Sequence, residues 1–204
     1  KGFETWGCNA IYRDCTVDTL IAIDYGIQQE IYKSGYANRN ECRFADWSIL
    51  EDFDVEFLKM SYKPQYIFET EKGNRTSCVV QGKEVESAER NYQEMMKEFP
   101  KLDNEDLKRK CYNNVGLYIT WIEDEDKVYD IDYPRAWCAG ATAIHLACQD
   151  DADEIYMLGF DLTSYNEPIN NIYKGTDNYL SNESKGFNPI NWIKQLNTVF
   201  DEFI

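Results

Sequence analysis

Asn9, Asp24 and Asp161 are the side chains of this sequence best suited by type and spacing to hold a polar small molecule. An asparagine offers both a donor and an acceptor, and an aspartate accepts from hydroxyls or binds a cation. Asp24 follows the apolar run Thr19 to Ile23, and Asp161 closes Gly159-Phe160-Asp161 after the run Ile155 to Leu158. Asn9 follows a short segment around Trp6. If these runs are parallel strands, the three side chains leave the sheet at its carboxyl edge, where open α/β sheets bind ligands. Ala139-Gly140-Ala141 adds a fourth feature, because an Ala-rich run follows it. A helix starting there presents free N–H groups and a positive dipole end to a phosphate or carboxylate, and small side chains let the ligand close in. A plainer purpose stays open beside this one. Small residues also permit close helix–sheet packing, and an aspartate after a strand also caps a turn.

Other reactive residues weigh less. His145 is the single histidine and sits in the middle of that apolar run, which suits a structural role better than a catalytic one. Cys138 precedes the small-residue turn, where a helix N-terminus would lower its pKa, but no histidine lies near it in sequence. No Gly-x-Ser-x-Gly elbow and no CxxC occurs, so a serine triad and a structural zinc site are not expected. The acidic run EDEDKVYDID, residues 123–132, lacks the calcium-loop pattern and reads as a solvated hairpin turn. The 15 tyrosines are expected to serve packing more than sugar stacking.

The elements that would position these residues follow from hydrophobic pattern. Thr19 to Ile23, Tyr66 to Phe68, Gly116 to Ile122 and Ile155 to Leu158 read as strands. Ile27 to Tyr32, Ser87 to Phe99, Gly140 to Cys148 and Ile190 to Phe203 read as helices, with Pro100 as a stop. Strands alternating with helices predict an α/β fold with a mainly parallel sheet, in a single domain over residues 1–204. Residues 163–188 are polar and rich in Asn, Ser and Tyr, which predicts a lid or binding loop.

The totals bound the function. With 37 acidic against 21 basic residues the net charge is −16, which disfavours nucleic acid and anionic membrane surfaces. No apolar run is long enough to cross a membrane. Seven cysteines without close pairing suggest reduced thiols and a cytoplasmic setting, where the patterns at Asn74 and Asn182 carry no glycan. The chain opens on Lys1 with no apolar signal core, so a fragment or processed form is expected and a removed signal stays open. A homo-oligomer also stays open.

The stretch AGATAIHLACQDDADEIYMLGFDL resembles the corresponding region of the family 42 glycosyltransferases, the bacterial lipooligosaccharide sialyltransferases. It is also similar to the related archaeal 6-hydroxymethylpterin diphosphokinase-like family. TWGCNAIYRD resembles the family's Arg-Cys-Asn segment, and AIDYG falls where the family has an asparagine near the nucleotide phosphates. The resemblance implies a Rossmann-like three-layer α/β/α fold with a pocket for a cytidine nucleotide or nucleotide sugar. It places Asn9 and Asp24 on the nucleotide, the backbone of Ala139, Gly140 and Ala141 on phosphate, and Gly159 and Asp161 at ribose hydroxyls or a metal such as Mg²⁺. Tyr165 and Tyr173 are its candidates for lid tyrosines that hold phosphate. Three departures accompany it. The family's first strand and Gly-Asn-Gly-Pro-Ser loop have no counterpart, so the domain is expected to lack its first strand. Ala139 stands where the family has serine. NESKGFNPINW stands where it has its catalytic histidine, and Lys185 there is a poor base. The implied activity is nucleotide-dependent glycosyl or diphosphoryl transfer, or a degenerate form of it. The alternative is a non-enzymatic interaction or structural protein on the same fold, and the catalytic residues are left unassigned.

Overall fold

Thr19-Leu20-Ile21-Ala22 is buried at every position, the pattern of an interior strand of a parallel sheet covered on both faces. The structure is a computed structural model that describes residues 2–47, 49–61, 67–75, 77–83, 85–98, 100, 105, 108, 111–112, 115–123, 126–132, 135, 137–162 and 167–203. In chain order, β1 (Trp6–Cys8) runs into a short 3-10 helix (Asn9–Arg13), followed by β2 (Thr19–Ala22), α1 (Tyr25–Lys33) and β3 (Glu41–Phe44). Then come β4 (Ile49–Glu51), α2 (Asp52–Ser61), β5 (Ile67–Glu69), β6 (Ser77–Lys83), α3 (Val85–Glu98) and β7 (Gly116–Ile122). The last elements are β8 (Val128–Asp130), α4 (Ala139–Gln149) and α5 (Ile190–Phe203).

Where the sequence suggests one domain, the chain gathers into two compact units, residues 1–46 with 127–204 and residues 47–126. The first holds a four-stranded, wholly parallel sheet in the order β1-β2-β3-β8. Helix α4 packs on it through Ala143 and Leu146, which meet Ile21, Ala45 and Ile131 in one core, and α5 closes over α4 through Leu196 and Val199. Gly35, at φ 76°, ends α1 in the left-handed turn that a glycine takes without strain. Buried Gln28 of α1 donates to the carbonyls of Ala22 (3.0 Å) and Ala45 (2.9 Å), tying down the chain where β2 and β3 end. The second unit holds a mixed sheet, β4-β6-β7-β5, whose core gathers Val55, Cys78, Leu117, Ile119 and Trp121. The fold is therefore mixed α/β with a mainly parallel four-stranded sheet, and no helix among the described residues is long and apolar enough to cross a membrane.

Two expectations are corrected. Ile155 to Leu158 is not a strand: it is 40%, 69%, 43% and 89% exposed in order, and none of its backbone groups hydrogen-bonds to a described residue. Its apolar, β-preferring residues suit a strand, but no sheet edge pairs with them, and pairing is what makes a strand. The acidic run 123–132 is not a hairpin turn either. Its Val128–Asp130 is strand β8, which pairs in parallel with β3, while β7 before it belongs to the other sheet. Val128 is buried and supplies the apolar anchor that the run's charge conceals.

Candidate functional site

The parallel register of β1 on β2, with Cys8 opposite Ile21, brings the carboxyl ends of both strands to one edge. Asn9 leaves β1 there and Asp24 leaves β2 there. Asn9 has φ 52°, a left-handed conformation that costs a non-glycine residue about 1 kcal/mol. Its Oδ1 is buried and has no hydrogen-bond partner among the described residues. Asp24 is the N-cap residue of α1, yet its side chain makes no capping bond. Solvent still reaches Asp24, but the protein around it raises its carboxyl above the usual range. A buried acceptor that no described residue satisfies, on a strained backbone, calls for a donor, and the carboxylate of Asp24 stands on the same edge.

Helix α4 starts beside the same edge. Burial pushes the thiol of Cys8, the last residue of β1, up to about 12, and neighbouring Cys138, the N-cap of α4, adds to the effect. The small-residue turn is largely engaged by the fold. Ala139 and Ala141 are buried, and the Ala141 N–H donates to Cys138 Sγ at 3.5 Å. The Cys138 N–H donates to Gln195 Oε1 at 3.0 Å, and a Cβ on Gly140 would fall 2.9 Å from the Phe160 ring. The plainer purpose of the small residues, close packing, is thus present. Contrary to expectation, the Cys138 thiol is raised: burial outweighs the backbone N–H groups of the helix start that pull it down.

Gly159 has φ 79°, and Asp161 is exposed and accepts from Asn170 Nδ2. With no strand before it, Asp161 is not delivered to the carboxyl edge by the sheet, and no contact among the described residues ties it to Asn9 or Asp24. Tyr165 lies outside the described residues. Tyr173 donates its hydroxyl to Asp14 Oδ2 at 2.7 Å, and burial followed by that bond pushes its pKa up to about 12.

Sequence reasoning missed Tyr179, whose hydroxyl accepts the Ala10 N–H at 3.1 Å, one residue past Asn9. Burial raises its pKa, the Ala10 bond and Arg13 oppose the rise, and the charges of Glu30 and Asp24 add to it, so it stands close to Asp24. The expected lid, among its described residues 167–188, therefore reaches the site through a different tyrosine. Its partner lies 169 residues away, and nothing local in the sequence marks it. His145 is structural: it is buried between the rings of Trp137 and Phe203, with Nε2 3.6 Å from Glu202 Oε1.

An open recess of about 440 Å³, lined by Asp18, Arg39, Glu41 and Lys127 among others, lies where β2, β3 and β8 begin. That is the opposite edge of the sheet, and its charges of both signs converge on no orphaned group, so the carboxyl edge is the better candidate. Among the described residues no three metal-ligating side chains gather. Asp24 follows β2 at this edge, where Asp46 also follows β3 and Asp130 ends β8, and Mg²⁺ uses one or two carboxylates together with substrate phosphates. Set against protein-family models, curated proteins and solved structures, the chain matches none of them.

Proposed function

We propose that this chain is a nucleotide-dependent transferase, or a degenerate relative of one, built on a Rossmann-like three-layer α/β/α domain. Its reaction class is glycosyl transfer from a nucleotide sugar or diphosphoryl transfer, as the resemblance to the family 42 glycosyltransferases implies. One observation carries the reading: Asn9, left-handed and with a buried Oδ1 that has no partner among the described residues, stands on the same sheet edge as Asp24, whose side chain makes no capping bond. Strain and orphaned polar groups concentrate where a ligand repays them. In this reading Asn9 takes an amine or hydroxyl of the nucleotide, and Asp24 accepts from hydroxyls and would hold Mg²⁺ with the phosphates. Gly159, Asp161 and Tyr173 belong to its outer rim. A reducing, cytoplasmic compartment goes with it, on the odd cysteine count.

Calorimetric titration with CMP, CDP and CTP, with and without Mg²⁺, tests the proposal. Saturable binding that Asn9→Ala weakens at least tenfold is the expected result, and no heat with any of the three would sink it.

A second reading has its own support. Tyr179 fills the Ala10 N–H and Phe160 covers Gly140, so the chain's own side chains take part of the ligand's place. That suits a non-enzymatic interaction protein on the same fold, and three flat titrations would favour it.

A further inference from the structure

The segment Asn171–Leu180 is held against the site by one cation. Arg13, on the 3-10 helix after β1, forks onto Glu30 of α1, with Nε on Oε1 and Nη2 on Oε2, both at 2.7 Å. Its third arm reaches the segment: Nη1 donates to Thr176 Oγ1 at 2.7 Å, and Nη2 also donates to the Asp177 carbonyl at 3.2 Å. The guanidinium lies 5.5 Å from the Tyr173 ring centre and 5.7 Å from that of Tyr179. Glu30 reaches the segment from below, accepting from Asn178 Nδ2 at 2.7 Å while Tyr12 donates to its other oxygen at 2.7 Å. A planar cation is the one side chain that can fork onto a carboxylate, donate to a hydroxyl and a carbonyl, and stack on two rings together. Lysine can do only part of this. Among the described residues the segment is also held by Tyr179 on Ala10, Tyr173 on Asp14 and the Asn178 side chain packed on Gly26.

We infer that Arg13, clipped to Glu30, is the positioning residue of this site: it straps residues 171–180 over the carboxyl edge of β1 and sets Tyr179 on the Ala10 N–H. A ligand reaching that N–H does so by displacing Tyr179. The functional consequence rests on the transferase reading, whereas the strap does not.

Residue-resolved amide hydrogen exchange by NMR on the whole chain, with CMP titrated into the same samples, separates the two. In Arg13→Ala the amides of Ala10, Gly175 and Tyr179 exchange at least tenfold faster, while Leu146 in α4 and Ile119 in β7 keep their wild-type rates. Glu30→Gln gives the same local pattern, and Arg13→Lys rescues it only in part. Tyr179→Phe, which removes a single oxygen, accelerates Ala10 and leaves Gly175 unchanged. Unchanged protection in Arg13→Ala overturns the strap, and so does acceleration at Leu146 as large as at Gly175, which would make Arg13 a general support of the fold. Failure of CMP to bind any sample removes the functional consequence drawn here for CMP, while the exchange pattern still decides the strap.

Discussion

Gly140 lies against the ring of Phe160, with room for a hydrogen and no more: a Cβ on residue 140 would sit 2.9 Å from Cε1 and 3.0 Å from Cζ. Phe160 in turn packs on Ala141, Ile144, Leu196 and Val199, so its ring cannot retreat without disturbing the layer between α4 and α5. Gly140→Ala gains helix propensity, up to about 1 kcal/mol, but forces overpacking that costs about 1–3 kcal/mol. The net expectation is a loss of about 1 kcal/mol, read as a lower urea midpoint with an unchanged slope. A stabilised variant would mean that the ring moves easily and that the glycine is kept for ligand access.

Asn9 separates stability from function. Glycine takes φ 52° without strain and removes the orphaned Oδ1, at the cost of more chain entropy in the unfolded state. Asn9→Gly is therefore expected to match the wild type in thermal midpoint or exceed it. Asn9→Ala keeps the strain and is expected to lose about 1 kcal/mol. Both should lose nucleotide binding. If Asn9→Gly is clearly the less stable, the asparagine side chain supports the fold, and its candidacy for the site falls.

The strap should open in acid. Burial alone would raise the Glu30 carboxyl, but hydrogen bonds from Tyr12, Arg13 and Asn178 outweigh it and hold the group below the ordinary glutamate value. A lowered folded pKa means that the stabilisation is complete above the unfolded value, about 4.3. It is lost as pH falls through the lowered value. Arg13 stays charged and Tyr12, pushed up to about 12 by burial and then by Glu30, stays neutral throughout. Asp24, raised by burial, titrates in the opposite sense, since its protonation relieves a cost. Asp14, which accepts from Tyr173, and Asp177, within the strap, are the other carboxylates there, so Asp14→Asn together with Asp177→Asn isolates the effect of Glu30. In that background, exchange at Tyr179 is expected to accelerate as pH falls through the lowered Glu30 value, beneath the ordinary glutamate range, after correction for intrinsic rates. Adding Glu30→Gln should leave it fast at every pH. An acid transition that survives Glu30→Gln would assign it to another group.

How much was legible follows from where each signal resides. β2 and α5 could be read because their patterns are internal: four buried residues, three of them apolar, in one, an apolar stripe from Ile193 to Phe203 in the other. β1, written WGC, was legible only as a short segment around Trp6, and β3, written ECRF, was not, because it is a strand by virtue of the neighbours it pairs with. Ile155 to Leu158 misled for the converse reason, carrying strand chemistry without a partner. Asn9 and Asp24 were accessible as residues that follow strands. The contacts of Arg13 with Glu30 and of Tyr179 with Ala10 join positions 17 and 169 apart, which no local pattern encodes.

The run Ile155 to Leu158 supplies the last prediction. Its backbone is unpaired, its apolar side chains are open to solvent, and Phe3 lies beside it, also exposed, with its ring edge-on to Tyr156 at 5.6 Å. Among the described residues β1 ends its sheet, pairing with β2 alone. A cluster of exposed apolar side chains is the arrangement that natural proteins normally cover, because it associates readily with another chain. Sedimentation velocity is expected to show association that grows with protein concentration, despite the repulsion from a net charge of −16. Replacing Tyr156 and Leu158 by lysine should abolish it. The substitutions touch exposed positions, so stability should stay within about 0.5 kcal/mol of the wild type. A wild-type chain that remains monomeric at every concentration would show that this cluster does not promote self-association, and the homo-oligomer would lose its structural support.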